Sequence, residues 1–345
     1  MRPSRRAFAA AGLGLVGLGG AAAFWWLQPF SGPDAPVRIE IRADPIGALG
    51  PPDSPQTRFG QLEFRSGLVL TSAAAGFGGL SGLWRQPDGG RDLVAISDRG
   101  HWLTARIERS AGRLSGLSAA TLGPILDDAG RPIRTTRGYD AEALAMGGSD
   151  AYVAVEREHA IRRFAWGAEG VVARGHAMPV PPALRELPAN AGIEALAFAP
   201  AGHALAGSLV AIAERARRGA DSPTVGWVLR HPASFQFDVV RRDGFDITDA
   251  AFLPGGELLL LERFFSPFSG VRCRIRRVGR DAIQPGALLD GPLLLDLDGR
   301  DGIDNMEGLC LHRDEADGAT VLTLLSDDNF SPFQRTLLLE FTLLD

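Results

Sequence analysis

One unit returns five times along this chain, and its length narrows the choice of fold sharply. Each copy opens on an apolar strand with a polar residue near its start, then runs into a second strand that closes on an acid. The openings are Leu80-Ser81-Gly82-Leu83, Ala141-Glu142-Ala143-Leu144, Ile193-Glu194-Ala195-Leu196, Thr248-Asp249-Ala250-Ala251 and Met306-Glu307-Gly308-Leu309. The closings are Asp98-Arg99, Glu156-Arg157, Glu214-Arg215, Glu262-Arg263 and Asp327-Asp328. Opening positions at 81, 142, 194, 249 and 307 give a period of 52 to 61 residues. A period of this size, built from short strands, indicates propeller blades rather than a helical solenoid.

The apolar runs are short and bounded by turn residues. Second strands are expected at Leu93–Ile96, Tyr152–Val155, Leu209–Ala213, Glu257–Leu261 and Val321–Leu325. Asp88-Gly89-Gly90, Pro254-Gly255-Gly256 and Asp317-Gly318 stand where hairpin turns should join first strand to second. Third strands follow in every copy, and loops at 121–138, 177–191 and 214–223 interrupt the blades. The fifth repeat reaches only a third strand before the chain ends, so an N-terminal strand, either Val37–Ala43 or Gln61–Leu70, must close the ring. The expected fold is an all-β propeller of five or six four-stranded blades; the surplus strand-like sequence before residue 75 is what leaves room for a sixth.

In a blade the first strand lines the axis and the second returns beside it. An acid at the start of one and an acid at the end of the other therefore share a rim. The opening acids Glu142, Glu194, Asp249 and Glu307 are read as catalytic, and the closing acids Asp98, Glu156, Glu214, Glu262 and Asp327 as metal-holding. His101 and His159, each three residues after its acid, are candidate general bases. Arg99, Arg157, Arg215 and Arg263 stand where guanidinium groups can orient an anion. Carboxylates gathered on one axis repel, so such a site raises their pKa values or holds a cation. Oxygen donors with few Cys or His favour calcium or magnesium, and calcium is the expected ion. The competing reading is structural, with acid–arginine pairs binding blade to blade. Phe265-Ser266-Pro267-Phe268 and Phe330-Ser331-Pro332-Phe333 recur on the same rim and are expected to brace turns.

Net charge is −5 and all 36 basic residues are arginine, scattered through the chain, which does not suggest a nucleic-acid surface. Cys273 and Cys310 are the only cysteines and read as two buried thiols rather than a disulfide framework. At the N-terminus, Ser4-Arg5-Arg6-Ala7-Phe8 precedes an apolar run from Ala7 to Leu27, which resembles a twin-arginine export signal. The run is also about as long as a bilayer-spanning helix. Residues 1–27 are thus a signal peptide or an inner-membrane anchor, 28–36 a linker, and 37–345 the propeller domain. The expected location is the periplasm, reached through the twin-arginine machinery, with possible anchoring to the inner membrane.

The same motifs carry a family resemblance. Phe77-Gly78-Gly79-Leu80-Ser81-Gly82-Leu83, Ile96-Ser97-Asp98-Arg99-Gly100, Tyr139-Asp140-Ala141-Glu142-Ala143-Leu144, Gly192-Ile193-Glu194-Ala195-Leu196 and Asn305-Met306-Glu307-Gly308-Leu309 resemble the phytase-like family, also described as "esterase-like activity of phytase". The resemblance spans about residues 58–344 and implies a phosphodiesterase or phytase role carried by Glu and Asp. No R-H-G-x-R-x-P motif occurs, which excludes a histidine-acid phytase mechanism. The expected function is a divalent-metal-dependent hydrolase of a small phosphate ester or other anionic ester, acting as a monomer. The alternative is a non-catalytic binding propeller at the membrane.

Overall fold

Alternation decides how these strands assemble. In the run Leu258-Leu259-Leu260-Leu261, Leu258 and Leu260 belong to one buried apolar cluster while Leu259 and Leu261 belong to another. A strand with both faces buried needs a neighbouring sheet on each side, which is why the runs are continuously apolar. Five such clusters exist among the described residues, one between each pair of adjacent sheets. The result, in this computed structural model, is a closed five-bladed propeller. The description covers residues 31–344 apart from 52, 137–138, 189–190, 216–221 and 231–232. The proposed signal or anchor, 1–27, lies outside the described residues.

Each blade is an antiparallel sheet. The innermost strands are Leu80–Arg85, Ala141–Gly147, Ile193–Phe198, Asp246–Phe252 and Asn305–Arg313, and each neighbours the innermost strand of the next blade around the axis. The second strands, Asp92–Ser97, Asp150–Val155, Leu209–Ala213, Leu258–Ser266 and Thr320–Asp327, return antiparallel beside them. Ring closure falls to Leu62–Thr71, which pairs with Thr336–Leu343 as the fourth strand of blade five. Of the two N-terminal candidates, then, the one around Gln61–Leu70 closes the ring. The segment 37–43 does not: Val37–Arg38 edges blade one against Leu122 and Thr121, and Arg42–Ile46 adds an outer strand to blade five. The surplus sequence is spent on sheet edges, so no sixth blade forms.

Two expectations on connections change. The loop expected from residue 121 starts only after Pro124, because Arg113–Pro124 is a long fourth strand. Part of the expected linker is docked: Pro36 packs on Gly123, Asp34 pairs with Arg134, and Gly32 lies against the His101 imidazole. Cys273 and Cys310 are both buried and free. No helix among the described residues is long and apolar enough to cross a membrane.

The seam between blades five and one carries a buried ion pair. Arg85, fully buried on the innermost strand of blade one, donates to Glu340 Oε1 at 2.5 Å and to Thr323 Oγ1 at 2.8 Å, both in blade five. Arg109 reaches the other Glu340 oxygen at 2.9 Å. Removing one partner of such a pair leaves a charge stranded in the interior and costs about 3–5 kcal/mol. Glu340→Leu should lower stability in urea unfolding by that order, and Arg85→Met with Glu340→Leu should recover much of it; a single variant as stable as the parent would contradict this.

Candidate functional site

A β-bulge near the start of every innermost strand aims one side chain out of the ladder. The register skips Ser81 in blade one, Glu142 in blade two, Glu194 in blade three, Thr248 in blade four and Glu307 in blade five. Bulges re-aim side chains in this way because two residues face one on the partner strand. Three of the five bulge residues are glutamates and two are hydroxyls. The hydroxyls bind the next blade: Ser81 Oγ donates to the Ala141 carbonyl at 2.5 Å and Thr248 Oγ1 to the Met306 carbonyl at 3.1 Å. Each accepting carbonyl belongs to the residue just before a bulge glutamate.

Blade four is offset by one residue from its apparent alignment. The bulge residue is Thr248, so Asp249 takes the place of Gly82, Ala143, Ala195 and Gly308. Its carboxylate accepts from Leu309 N at 2.7 Å and Ala250 N at 2.8 Å, clasping the innermost strands of blades four and five. Asp249 therefore leaves the expected rim set. The closing acid shifts likewise. Arg263 pairs with Asp246 where the other blades bring Asp98, Glu156, Glu214 and Asp327 against Gly79, Asp140, Gly192 and Asn305. Glu262 is then one residue inside the blade, fully buried, and held by Arg274 Nε at 2.7 Å and Arg276 Nε at 2.8 Å. It holds its own blade together and has no place in a metal site.

Arg263 thereby enters the acid cluster. Its Nε lies 3.1 Å from Glu307 Oε1 and its Nη2 3.9 Å from Glu214 Oε1, and Glu307 above all raises its pKa. Arg215 bridges Glu214 at 3.4 Å and Asp246, where its Nε donates at 2.8 Å. Glu214, Asp246 and Glu307 are thus bridged by arginines between blades, as the structural reading expects. Arg157 donates to Asp140 at 2.7 Å and lies over the Tyr139 ring, and Arg99 stacks on Phe330 at 3.4 Å. The second phenylalanine motif thus supplies Arg99 with a platform.

Blade two is different. Carboxylate oxygens of Asp140, Glu142 and Glu156 all lie within 4.8 Å of one another. Burial, then Glu194 and Asp140, push the Glu142 carboxyl well above its ordinary range. Burial also raises Glu156, although it accepts from Gly192 N at 3.1 Å. Nearby, burial and Asp140 push Asp98 up to about 7. Burial with Glu214 and Glu307 raises Glu194, and burial with Asp98 and Glu307 raises Asp327. Close approach at this rim requires glycine: a Cβ on Gly79, where φ is +60°, would sit 2.3 Å from Asp98 Oδ1.

Asp140 and Asp246 are the site residues the sequence reading did not select. The signal was the apolar residue ahead of each bulge: with Ile247 aligned to Leu80, Ala141, Ile193 and Met306, both aspartates fall in the column of Gly79 and Gly192. His101 changes role. It is fully buried beside Gly32, with burial and then Arg134 lowering it to about 4, and among the described residues neither ring nitrogen has a hydrogen-bond partner. It is neutral and covered, so it is not an accessible base. His159 caps the turn after Glu156 in a left-handed conformation, φ 45°, donating its N–H to Glu156 O at 2.9 Å.

The opposite end of the axis opens into a cavity of 490 Å³ walled largely by apolar side chains such as Trp84, Met146, Phe198 and Phe252.

Residues 75–330 match the family described as "Phytase-like: Esterase-like activity of phytase". The chain belongs to this family. No curated protein matches it. Among solved structures, it is similar to a dihydro-heme d1 dehydrogenase in complex with DHE, at 13% identity and TM-score 0.33, covering 94% of this chain but 63% of that one. A Thermus thermophilus protein described as an oxidoreductase (glucose dehydrogenase) matches at 14% identity and TM-score 0.32, covering 87% of this chain and 99% of that one. Saccharomyces cerevisiae Sqt1 matches at 9% identity and TM-score 0.39, covering 81% and 75%. Scores this low carry no argument about function.

The raised carboxyls have a measurable consequence. Above about pH 7 the carboxyls of the unfolded chain are ionised and histidines are mostly neutral in both states. His101, at about 4, and His312, lowered to about 3 by burial, therefore contribute little there. Asp98 and Glu214, each raised mainly by burial to about 7, are still partly protonated there in the folded state, and Glu142, Glu194 and Asp327 are raised well above their ordinary range in the same direction. The folded state binds more protons, so stability falls as pH rises. In EDTA, Tm should drop between about pH 7 and pH 8.5. A Tm flat or rising across that window would contradict the protonated cluster.

Proposed function

We propose that this phytase-like propeller is an exported, divalent-metal-dependent hydrolase of a phosphate ester or other small anionic ester, working at the acidic rim. The observation that carries it is the blade-two triad, three carboxylates with oxygens within 4.8 Å of one another, of which Glu142 and Glu156 are raised by burial and Asp140 is held by Arg157. A desolvated all-oxygen donor set of this charge suits calcium. Asp140, Glu142 and Glu156 would hold the ion. When bound it supplies positive charge and Lewis-acid polarisation of an ester oxygen.

The chain's own groups do the rest. Arg157 and Arg215, both partly exposed beside the acids, orient the anion by charge-assisted hydrogen bonds. Asp98, titrating near neutrality, holds or yields a proton at its carboxyl oxygen at the working pH, with Glu194, raised by burial, as a second carboxyl beside the triad. Arg263 ties Glu307 to Glu214 through its guanidinium. The apolar run 7–27 serves export to the periplasm and stays as an inner-membrane anchor.

Calcium at a hundred times its Kd should stabilise the fold by about 2.7 kcal/mol, visible as a raised Tm. Glu142→Gln should abolish that shift while raising the metal-free Tm, because it removes an acid that is costly to bury in either protonation state at neutral pH. Glu307→Gln should instead lower Tm, because it strands Arg263. Calcium-dependent turnover of p-nitrophenyl phosphate, bis-p-nitrophenyl phosphate, phytate or simple esters, lost in Glu142→Gln, is the expected activity. Silence across all substrates and metals would overturn the hydrolase reading in favour of a binding propeller.

A further inference from the structure

The acidic rim also carries the most exposed aromatic side chains described in the molecule. Phe265, Phe268 and Phe333 expose 61%, 101% and 92% of their surface. They stand on two proline-containing tips: the hairpin between Leu258–Ser266 and Gly270–Val278 in blade four, and the loop between Thr320–Asp327 and Thr336–Leu343 in blade five. Both connect a second strand to a third, so both project at the end where Asp98, Glu156 and Glu214 stand. Between them runs a groove of 480 Å³ lined by Phe265, Phe333, Arg263, Asn305, Asn329 and Gln334. Phe265 and Phe333 wall this one groove and Phe268 stands on the same tip as Phe265, and exposed apolar surface gathered at one place marks an interaction site.

Where the chain enters the propeller says what covers it. Pro36 packs on Gly123 and Val37 pairs with Leu122, while His101, against which Gly32 lies, pairs with Pro124. The N-terminal strap therefore runs down blade one from this same rim, and blade one adjoins blade five. Five peptide steps separate Gly32 from Leu27, the last residue of the apolar run, a reach of at most about 18 Å. We propose that the rim faces a lipid bilayer, with Phe265, Phe268 and Phe333 seated in the headgroup boundary and the groove open at the membrane surface. Exposed rings beside polar groups are the chemistry of interfacial insertion. On this geometry the site works on amphipathic esters presented at the membrane. The proposal depends on the anchoring assigned above to residues 7–27.

Cys273 and Cys310 are buried, so an introduced surface cysteine can be labelled selectively. Phe268→Cys and Phe333→Cys in the full chain, each carrying bimane, are reconstituted into vesicles of phosphatidylcholine and phosphatidylethanolamine, half of them with brominated acyl chains. Ala201→Cys, on an exposed turn between Ile193–Phe198 and Leu209–Ala213 at the opposite end, is the comparison. The rim labels should shift to the blue and lose intensity with brominated lipid, and the Ala201→Cys label should do neither. Rim labels that behave like the comparison in protein that floats with the vesicles would overturn the orientation and leave anchoring intact. Protein that does not float would overturn anchoring and this proposal with it. Protection that appears without vesicles and grows with protein concentration would mean a second copy covers the rings, and would equally overturn it.

Discussion

The bulge near the start of each innermost strand is the constraint on which the site depends. Closing a ring of blades already places equivalent backbone positions around one axis. The bulge decides which side chain at that position leaves the ladder. In three blades it turns out a glutamate with no room to avoid its neighbours; in two it turns out a hydroxyl that bonds the backbone of the next blade. Without the skipped residue, the alternation of the strand would send those glutamates toward an interblade core and bring an apolar residue to the axis.

Charge then divides the rim into two sectors. Around blades three to five, Arg215 and Arg263 thread between Glu214, Asp246 and Glu307. Around blades one and two, Arg157 binds Asp140, and burial raises the carboxyls of Asp98, Glu142 and Glu156. The acid–arginine repeats therefore form interblade ion pairs in one sector and a set of raised carboxyls in the other. A chain whose cations are all arginine uses the same chemistry deeper in the fold, where Arg85, Arg274 and Arg276 satisfy fully buried glutamates.

Much of this was legible in the sequence. The fivefold return of short apolar strands, the hairpin turns and the need for an N-terminal strand to close the ring all follow from pattern and length. Blade four was misread for a physical reason. Thr248-Asp249 and Glu262-Arg263 imitate the motifs of the other repeats, but the bulge follows the apolar Ile247, which shifts both by one residue. That single step exchanges an axial acid for Arg263 and buries Glu262 among arginines. The N-terminal strands were ambiguous because edge strands are selected by which sheet side remains open, a property of the assembled ring.

The central claim is that a cation is held by blade two rather than by all blades around the axis. Anomalous scattering from crystals of the protein soaked in a manganese or terbium salt tests it most directly. The account predicts one strong peak among Asp140, Glu142 and Glu156. A peak centred instead on Glu214 and Glu307, or none at concentrations that saturate ordinary calcium sites, would contradict it.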